Sequence, residues 1–310
     1  MNVKNVLILT RYSGKMRLSM IYCKGILKDG GLVRVAWYFD LHCHLLCGVD
    51  DGASSENEMY AMLDMAYADG TRAVCLTPHF SPYLFGDTSE SSQAAFEVLR
   101  AYAERTYPDL SLFLGHELGY YDGCIGALDR GECRTVAGSR YVLVDFPEDV
   151  EFFQIDSAIR RLRGAGYRPI LAHTERYRCL AGHMAWVADF HGRGGVVQIN
   201  AADAVGGWGR AAKSLWKKLV KERLVDIVSS DGHNLTSRQP KLSVCMELLS
   251  RYCDAETVRA LTWGNAWRVV RDEPLDTMID NENPESVPAV TSERTRRHGR
   301  NQKNGRNERS

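Results

Sequence analysis

Val35-Ala36-Trp37-Tyr38-Phe39-Asp40-Leu41-His42-Cys43-His44 decides the fold: a β-rich run that ends in His-x-His. The same arrangement returns along the chain. β-Rich runs from Ala73 to Thr77, Ser111 to Leu114, Tyr141 to Phe146, Pro169 to Ala172, Gly195 to Ile199 and Asp226 to Ser229 join Val35 to Leu41 as seven expected strands. Between them lie stretches with helical spacing: Glu56 to Asp69, Ser92 to Thr106, Glu151 to Ala165 and Ala211 to Arg223. Ser55 and Glu58 open the first as a capping box. Strands that alternate with helices pair in parallel. Over about 240 residues the natural closed form is an α/β fold of the distorted TIM-like barrel kind, with an open doubly wound sheet as the structural alternative. In such a barrel reactive groups collect at the C-terminal ends of the strands.

The 310 residues carry 39 basic and 39 acidic side chains, with 45% apolar and 25% charged residues, the balance of a soluble globular protein. Zero net charge excludes a chain-wide nucleic-acid or anionic-membrane binder, which needs surplus Lys or Arg to displace counterions. The early apolar run, Val6 to Leu9, is far too short to span a bilayer, and nothing near it reads as a secretory signal. Nine cysteines, an odd number without a Cys-x-x-Cys pair, read as reduced thiols in a cytoplasmic protein. Three regions are expected. Residues 1–36 form an N-terminal extension without an assignable role, 37–273 form the barrel, and 274–310 form a disordered basic tail containing Arg294, Arg296, Arg297 and Arg300.

The strand ends carry the chemistry. The first ends in Asp40-Leu41-His42-Cys43-His44, followed by Asp50 and Asp51, and the second in Thr77-Pro78-His79. The third ends in Gly115-His116-Glu117, the fourth in Asp145, the fifth in Ala172-His173 and the seventh in Ser230-Asp231-Gly232-His233. The sixth ends in Gln198-Ile199-Asn200, polar but a poor ligand set. One His at a strand end is ordinarily a satisfied polar residue. Here six of the nine histidines lie at such ends, and so many imidazoles and carboxylates on one rim need cations between them. In His42-x-His44 both side chains share a strand face and can chelate one ion, while Cys43 points away. Nitrogen and oxygen donors without thiolates suit a catalytic site for manganese, iron or zinc, and nine candidates imply two or three ions. Ions so paired activate a water and stabilise both attacking and leaving oxygens in phosphoryl displacement, so the site reads as a metallohydrolase.

In this order the motifs resemble those of the bacterial metal-dependent protein-tyrosine phosphatases of the CpsB/CapC type, within the PHP (polymerase and histidinol phosphatase) superfamily. They include Gly48-Val49-Asp50-Asp51-Gly52, Leu171-Ala172-His173-Thr174-Glu175-Arg176-Tyr177 and Ser230-Asp231-Gly232-His233-Asn234, and the likeness runs from about Tyr38 to Val270, excluding both termini. It implies a distorted (β/α)7 barrel of the PHP type and a cluster of up to three divalent ions, manganese first, with iron, cobalt or zinc as alternatives. His42, His44, Asp51, His79, Glu117, His173, Asp231 and His233 would be the ligands, with Glu117 the bridge. Asp145 stands where the family has Glu, one methylene shorter. The choice of Asp51 over Asp50 rests on the resemblance. Trp263-Gly264-Asn265-Ala266 falls where the family usually carries Asn-Pro.

The resemblance further implies a phosphotyrosine protein as substrate, a bacterial tyrosine autokinase that regulates capsule or exopolysaccharide synthesis. No nucleic acid is expected as partner, the chain is not expected to be membrane-embedded, and an oligomer stays open. Arg176 and Arg238 match family arginines, and a guanidinium can grip two phosphoryl oxygens; pairing of Arg176 with Glu175 or Asp203 is the plainer alternative. A phenol of pKa near 10 leaves with little protonation, which favours aryl phosphates. The loop Ala204-Val205-Gly206-Gly207-Trp208-Gly209 could bring Trp208 close to substrate, or serve only as a turn. A small-molecule phosphatase, such as one for histidinol phosphate, and a non-catalytic metal-binding regulator are the rival functions. Two Cys-x5-Arg spacings, Cys124 to Arg130 and Cys245 to Arg251, lack a glycine-rich phosphate loop and are expected to be decoys. His183, His191 and His298 are expected not to bind metal.

Overall fold

The structure is a computed structural model that describes residues 37–275, together with the backbone of four short strands ahead of them: β1 (Asn5–Tyr12), β2 (Lys15–Tyr22), β3 (Lys28–Asp29) and β4 (Leu32–Val33). β1 and β2 pair antiparallel, Asn5 opposite Tyr22 and Tyr12 opposite Lys15, in a region where sequence periodicity signalled no element. The rest of residues 1–36, most of the expected tail, and His298 lie outside the described residues.

The remaining strands are β5 (Tyr38–Cys43), β6 (Thr71–Leu76), β7 (His79–Phe80), β8 (Ser111–Leu114), β9 (Glu117–Gly119), β10 (Tyr141–Asp145), β11 (Arg168–Leu171), β12 (Val196–Asn200) and β13 (Ile227–Ser229). They form a curled parallel sheet in two hydrogen-bonded parts, β5-β6-β8 and β13-β12-β11-β10-β9-β7. Each of the seven expected runs is present, and two further short strands, β7 and β9, follow the second and third. Thr77-Pro78 separates β6 from β7, and Gly115-His116 separates β8 from β9. Proline has no N–H to give to a ladder, so the strand path leaves one part of the sheet there and joins the other. At the far edge β13 meets β5 through the single bridge Cys43–Gly232. Asp231 N–H donates to His42 O at 2.8 Å, and His44 N–H donates to Gly232 O at 2.9 Å.

Helices α1 (Glu56–Asp69), α2 (Ser89–Thr106), α3 (Cys124–Arg130), α4 (Phe152–Gly164), α5 (Met184–Gly192), α6 (Gly209–Lys221), α7 (Met246–Tyr252), α8 (Ala255–Arg259) and α9 (Asn265–Val270) cover the sheet. Ser55 caps α1 by accepting from Glu58 N–H, but Glu58 returns its carboxylate to Ser54 N–H, one residue earlier than the expected box. Trp263-Gly264 lies in a π-helical turn between α8 and α9, and Asn265 Nδ2 donates to Asp226 O at 2.8 Å. Met59, Met62 and Leu63 of α1 and Phe96 and Leu99 of α2 pack on Cys43, Val74 and Leu76. Ala212, Leu215, Trp216, Leu219 and Val220 of α6 recur at i, i+3, i+4, i+7 and i+8, the spacing that buries one helix face. Phe39, Leu41, Ala73, Leu143, Ile170, Val196 and Ile227 form a separate apolar layer drawn from six strands.

A bulge sets the site above that layer. Asp40 pairs with Val74 but Cys43 with Leu76, so β5 accommodates one extra residue between them. The bulge shifts the alternation by one. His42 and His44 therefore follow Phe39 and Leu41 onto the same side, and Cys43 joins the layer beneath α1.

Trp216 is fully buried and donates its indole N–H to Asn200 O at 3.0 Å, which holds α6 against β12. Trp216→Ala removes the largest fully buried side chain. A loss of about 3–5 kcal/mol in urea unfolding is expected. An unchanged urea midpoint would remove α6 packing from the account.

Candidate metal centre

Glu117, at the start of β9, is fully buried, and its carboxylate is the point on which the strand ends converge. Oε2 lies 3.2 Å from His42 Nε2, 3.1 Å from His44 Nε2 and 3.1 Å from His79 Nδ1, while Oε1 lies 3.0 Å from His173 Nε2. Despite that company, no well-aligned hydrogen bond reaches Oε2. Two ligands held at about 2.1 Å from one ion, at 90–109°, stand about 3.0–3.4 Å apart, so these separations suit donors that share cations.

Partners behind the imidazoles fix which nitrogen faces inward. His42 Nδ1 lies 3.1 Å from Gln198 Oε1, and His44 Nδ1 lies 2.7 Å from Asp50 Oδ2. Both neighbours are acceptors, so both Nδ1 atoms carry the proton. Each Nε2 of the neutral rings then presents a lone pair, and the two stand 3.2 Å apart. Opposed lone pairs at that distance repel unless a cation or a proton lies between them. His233 Nδ1 lies 2.9 Å from its acceptor, Asp231 O, leaving Nε2 buried without a hydrogen bond 3.3 Å from Asp51 Oδ1.

Three overlapping donor sets emerge, each with atoms within 4.8 Å of one another: His44, Asp51, His79 and His233; His42, His44 and Glu117; and His79, Glu117 and Asp145. Asp231 Oδ1 lies 3.5 Å from both His42 Nε2 and His44 Nε2. The shorter side chain of Asp145 still reaches to 3.5 Å from His173 Nε2, and Tyr177 anchors it by donating its hydroxyl to Oδ1 at 3.0 Å. All nine expected ligands are thus brought together.

Asp50 and Asp51 divide the work by position. Asp50 Oδ2 accepts from His79 N–H at 2.9 Å as well as from His44 and does not face the donor sets, whereas Asp51 does. Gly52 permits the fold-back, since a Cβ there would lie 2.0 Å from His44 O. His173 and Asp231 have φ of +29° and +52°, a left-handed conformation that non-glycine residues adopt at local cost. Both sit where β11 and β13 have ended, and the turn aims each side chain toward Glu117 or His42.

Electrostatics follow the same plan. Burial raises the Glu117 carboxyl, but the His42 and His79 imidazoles outweigh it and hold it well below the usual range. Burial likewise raises Asp231, and His42, Arg176, His233 and Arg238 pull it well down. Burial lowers His44, yet Asp50 and Glu117 hold it well above its ordinary value. Asp145 moves the other way, raised by burial and by Glu117 beside it. Ions that bind these groups must displace protons from imidazole, so metal uptake releases protons and weakens as pH falls.

Both arginines are gathered at Asp231. Arg176 Nη1 donates to Asp231 Oδ2 at 2.8 Å and Nε to Asp203 Oδ2 at 3.0 Å, and Arg238 Nη2 donates to Asp231 Oδ2 at 2.9 Å. The plainer pairing with Asp203 is therefore present, alongside a second bond into the centre. Trp208 lies beneath Arg176 at 3.9 Å and donates its indole N–H to Glu148 at 2.8 Å.

The other candidates separate cleanly. His116 accepts from Arg134 N–H and meets Ser92 Oγ at 3.2 Å; burial and the Arg134 charge push its pKa down to about 3, so it stays neutral outside the cluster. His183 bonds Cys179 O, and His191 pairs with Asp226. Cys124 is buried with its thiol pushed up by burial, and Arg130 is held by Glu132. Burial pushes Cys245 up to about 12, and Arg251 pairs with Glu247. Sequence reasoning passed over Gln198, whose Oε1 also accepts from His173 N–H at 2.7 Å, and Asn200, whose Nδ2 donates to Asp231 Oδ2 at 2.9 Å. Their place at a strand end was the available signal.

A curled parallel α/β sheet with overlapping His, Asp and Glu donor sets at its strand ends defines a metallohydrolase-like class. Within it, the chain belongs to the capsular polysaccharide synthesis CpsB/CapC family, whose model matches residues 38–271. Tyrosine-protein phosphatase CpsB of Streptococcus pneumoniae is 28% identical over 239 residues, covering 76% of this chain and 98% of that protein. Tyrosine-protein phosphatase YwqE of Bacillus subtilis is 25% identical over 236 residues, covering 76% and 92%. A crystal structure from work on YwqE and CpsB, described as unique metal-dependent tyrosine phosphatases, superposes with a TM-score of 0.70 at 23% identity, over 77% of this chain and 96% of that one. It shows the same fold.

Asp50→Asn keeps the size of the side chain but weakens the acceptor behind His44. Metal affinity, measured by competition with a chelator of known strength, is expected to fall about 10–100-fold. Unchanged affinity would mean that Asp50 does not orient His44 for an ion.

Proposed function

We propose that this chain is a metal-dependent protein-tyrosine phosphatase, a phosphoric monoester hydrolase. The observation that carries the reading is Glu117, with four imidazole nitrogens within 3.0–3.2 Å of one carboxylate. His42, His44, Asp51, His79, Glu117, Asp145, His173, Asp231 and His233 would hold two or three divalent ions, manganese first, with Glu117 as the bridge. Bound there, such ions supply Lewis acidity toward phosphoryl oxygens and make a water nucleophilic at neutral pH. We read the two sheet parts, linked through β6 to β7, through β8 to β9 and by the Cys43–Gly232 bridge, as a distorted seven-unit barrel.

Arg176 and Arg238 converge on the side of the centre marked by Asp231 and would bind the phosphoryl oxygens, offsetting charge that develops in the transition state. Trp208 stacks under Arg176 and stands 5.7 Å from Arg238, keeping both guanidinium groups in place. Among the described residues, the groups gathered at the centre are read as metal ligands and a guanidinium pair rather than as proton donors to a leaving oxygen. That suits a phenol, which departs with little protonation, better than an aliphatic alcohol. The substrate would be a phosphotyrosine protein, a tyrosine autokinase of capsule or exopolysaccharide synthesis. Among the described residues no helix is long and apolar enough to cross a membrane.

A phosphotyrosyl peptide assayed with and without chelator tests the reading, alongside a Cys124→Ser/Cys245→Ser variant and an equal concentration of histidinol phosphate. Chelation is expected to abolish turnover, the cysteine variant to retain it, and the peptide to be the faster substrate. Activity that survives chelation but not the cysteine change would reject the metal centre, and faster turnover of histidinol phosphate would reject the protein substrate. Arg238→Ala is expected to lower kcat about 10²–10³-fold. An unchanged kcat would free Arg238 of that role.

A further inference from the structure

The loop between β7 and α2 carries the two most exposed large apolar side chains among the described residues, Tyr83 and Leu84, each 79% exposed. The loop is well tied. Leu84 and Phe85 N–H groups both donate to Ser81 O, at 3.0 and 2.9 Å, and Thr88 Oγ1 donates to His79 O at 2.9 Å. Phe85 lies flat on the imidazole of His79, with ring centroids 5.1 Å apart and planes 3° from parallel. Tyr83 meets the edge of Tyr121, from the loop after β9, at 5.7 Å. An apolar wall therefore runs outward from a member of the metal centre to the rim, built by two successive strand-end loops. Apolar surface of this kind gains free energy when it is covered.

Resting on the phosphatase reading, we propose that Tyr83 and Leu84 form a docking wall for an apolar side chain of the polypeptide that bears the phosphotyrosine, so that phosphotyrosines with an apolar neighbour are preferred. Continuity with His79 through Phe85 identifies the occupant. A second copy of the chain seated on the wall would stand over the centre and close it to phosphoester, whereas a substrate covers the wall only during turnover. With the phosphoryl group held at the centre, the peptide must leave across the rim. An extended chain advances about 3.3 Å per residue, so neighbours of the phosphotyrosine are the residues that meet the loop. A free aryl phosphate has no such neighbour and leaves the wall untouched.

The test compares manganese-loaded wild-type protein with a Tyr83→Ser/Leu84→Ser variant on three substrates: a phosphotyrosyl peptide with leucine beside the phosphotyrosine, the same peptide with glycine there, and 4-nitrophenyl phosphate. The expected result is a KM for the leucine peptide that is about tenfold higher in the variant, equivalent to about 1.4 kcal/mol. Its kcat should be unchanged, and the other two substrates should be unaffected. Equal KM values for the two peptides on the wild type, or a variant that alters neither, would overturn the proposal. So would loss of 4-nitrophenyl phosphate turnover, which would assign the loop to holding His79 through Phe85. A wild-type dimer that the variant makes monomeric in sedimentation would assign the wall to self-association instead. Absence of turnover of every substrate by the loaded wild type is the separate result that removes the phosphatase reading, and this inference with it.

Discussion

A fully buried carboxylate is costly: the effective penalty for removing one from water is several kcal/mol unless cations or donors surround it. Glu117 meets that demand with four imidazoles from three strand ends, His42 and His44 from β5, His79 from β7 and His173 from β11. The rings of His42 and His44 are in turn oriented by acceptors on other segments, Gln198 of β12 and Asp50 of the loop before α1, and the same two side chains accept from the backbone N–H groups of His173 and His79. Removing one member leaves another polar group buried without its partner. The curled sheet, the short strands β7 and β9 and the left-handed turns at His173 and Asp231 all serve to bring those ends to one place.

Much of the architecture was legible because its causes are local. β-Rich runs separated by amphipathic stretches mark strands and helices, and α1, α4 and α6 lie within a residue or two of where their spacing places them. What could not be read depends on contacts far apart in sequence. The bulge in β5 exists only in relation to its neighbour β6, and without it strand alternation after Leu41 would run the other way. The breaks at Thr77-Pro78 and Gly115-His116 are exchanges of pairing partner, visible only when the sheet is assembled.

Within the centre, residue type pointed to the side chains that gather there but not to what holds them. Gln198 and Asn200 are poor metal donors, yet Gln198 fixes the tautomer of His42, and both contact groups of the donor cluster. His116 carries the same strand-end signature as His79, and only its neighbours, Arg134 N–H and Ser92, distinguish a satisfied neutral histidine from a member of the cluster. Asp50 and Asp51 are adjacent in sequence and opposite in role because Gly52 folds the loop over His44 O. Asp145 is held from behind by Tyr177, which donates its hydroxyl to the carboxylate.

Anomalous diffraction from crystals grown with manganese measures the convergence most directly. Two or three anomalous peaks are expected, with both Glu117 oxygens about 2.0–2.3 Å from ions and the Nε2 atoms of His42 and His44 facing the same ions. A Glu117 carboxylate that stays bonded to protonated imidazoles alone, with no peak in reach, would contradict that expectation.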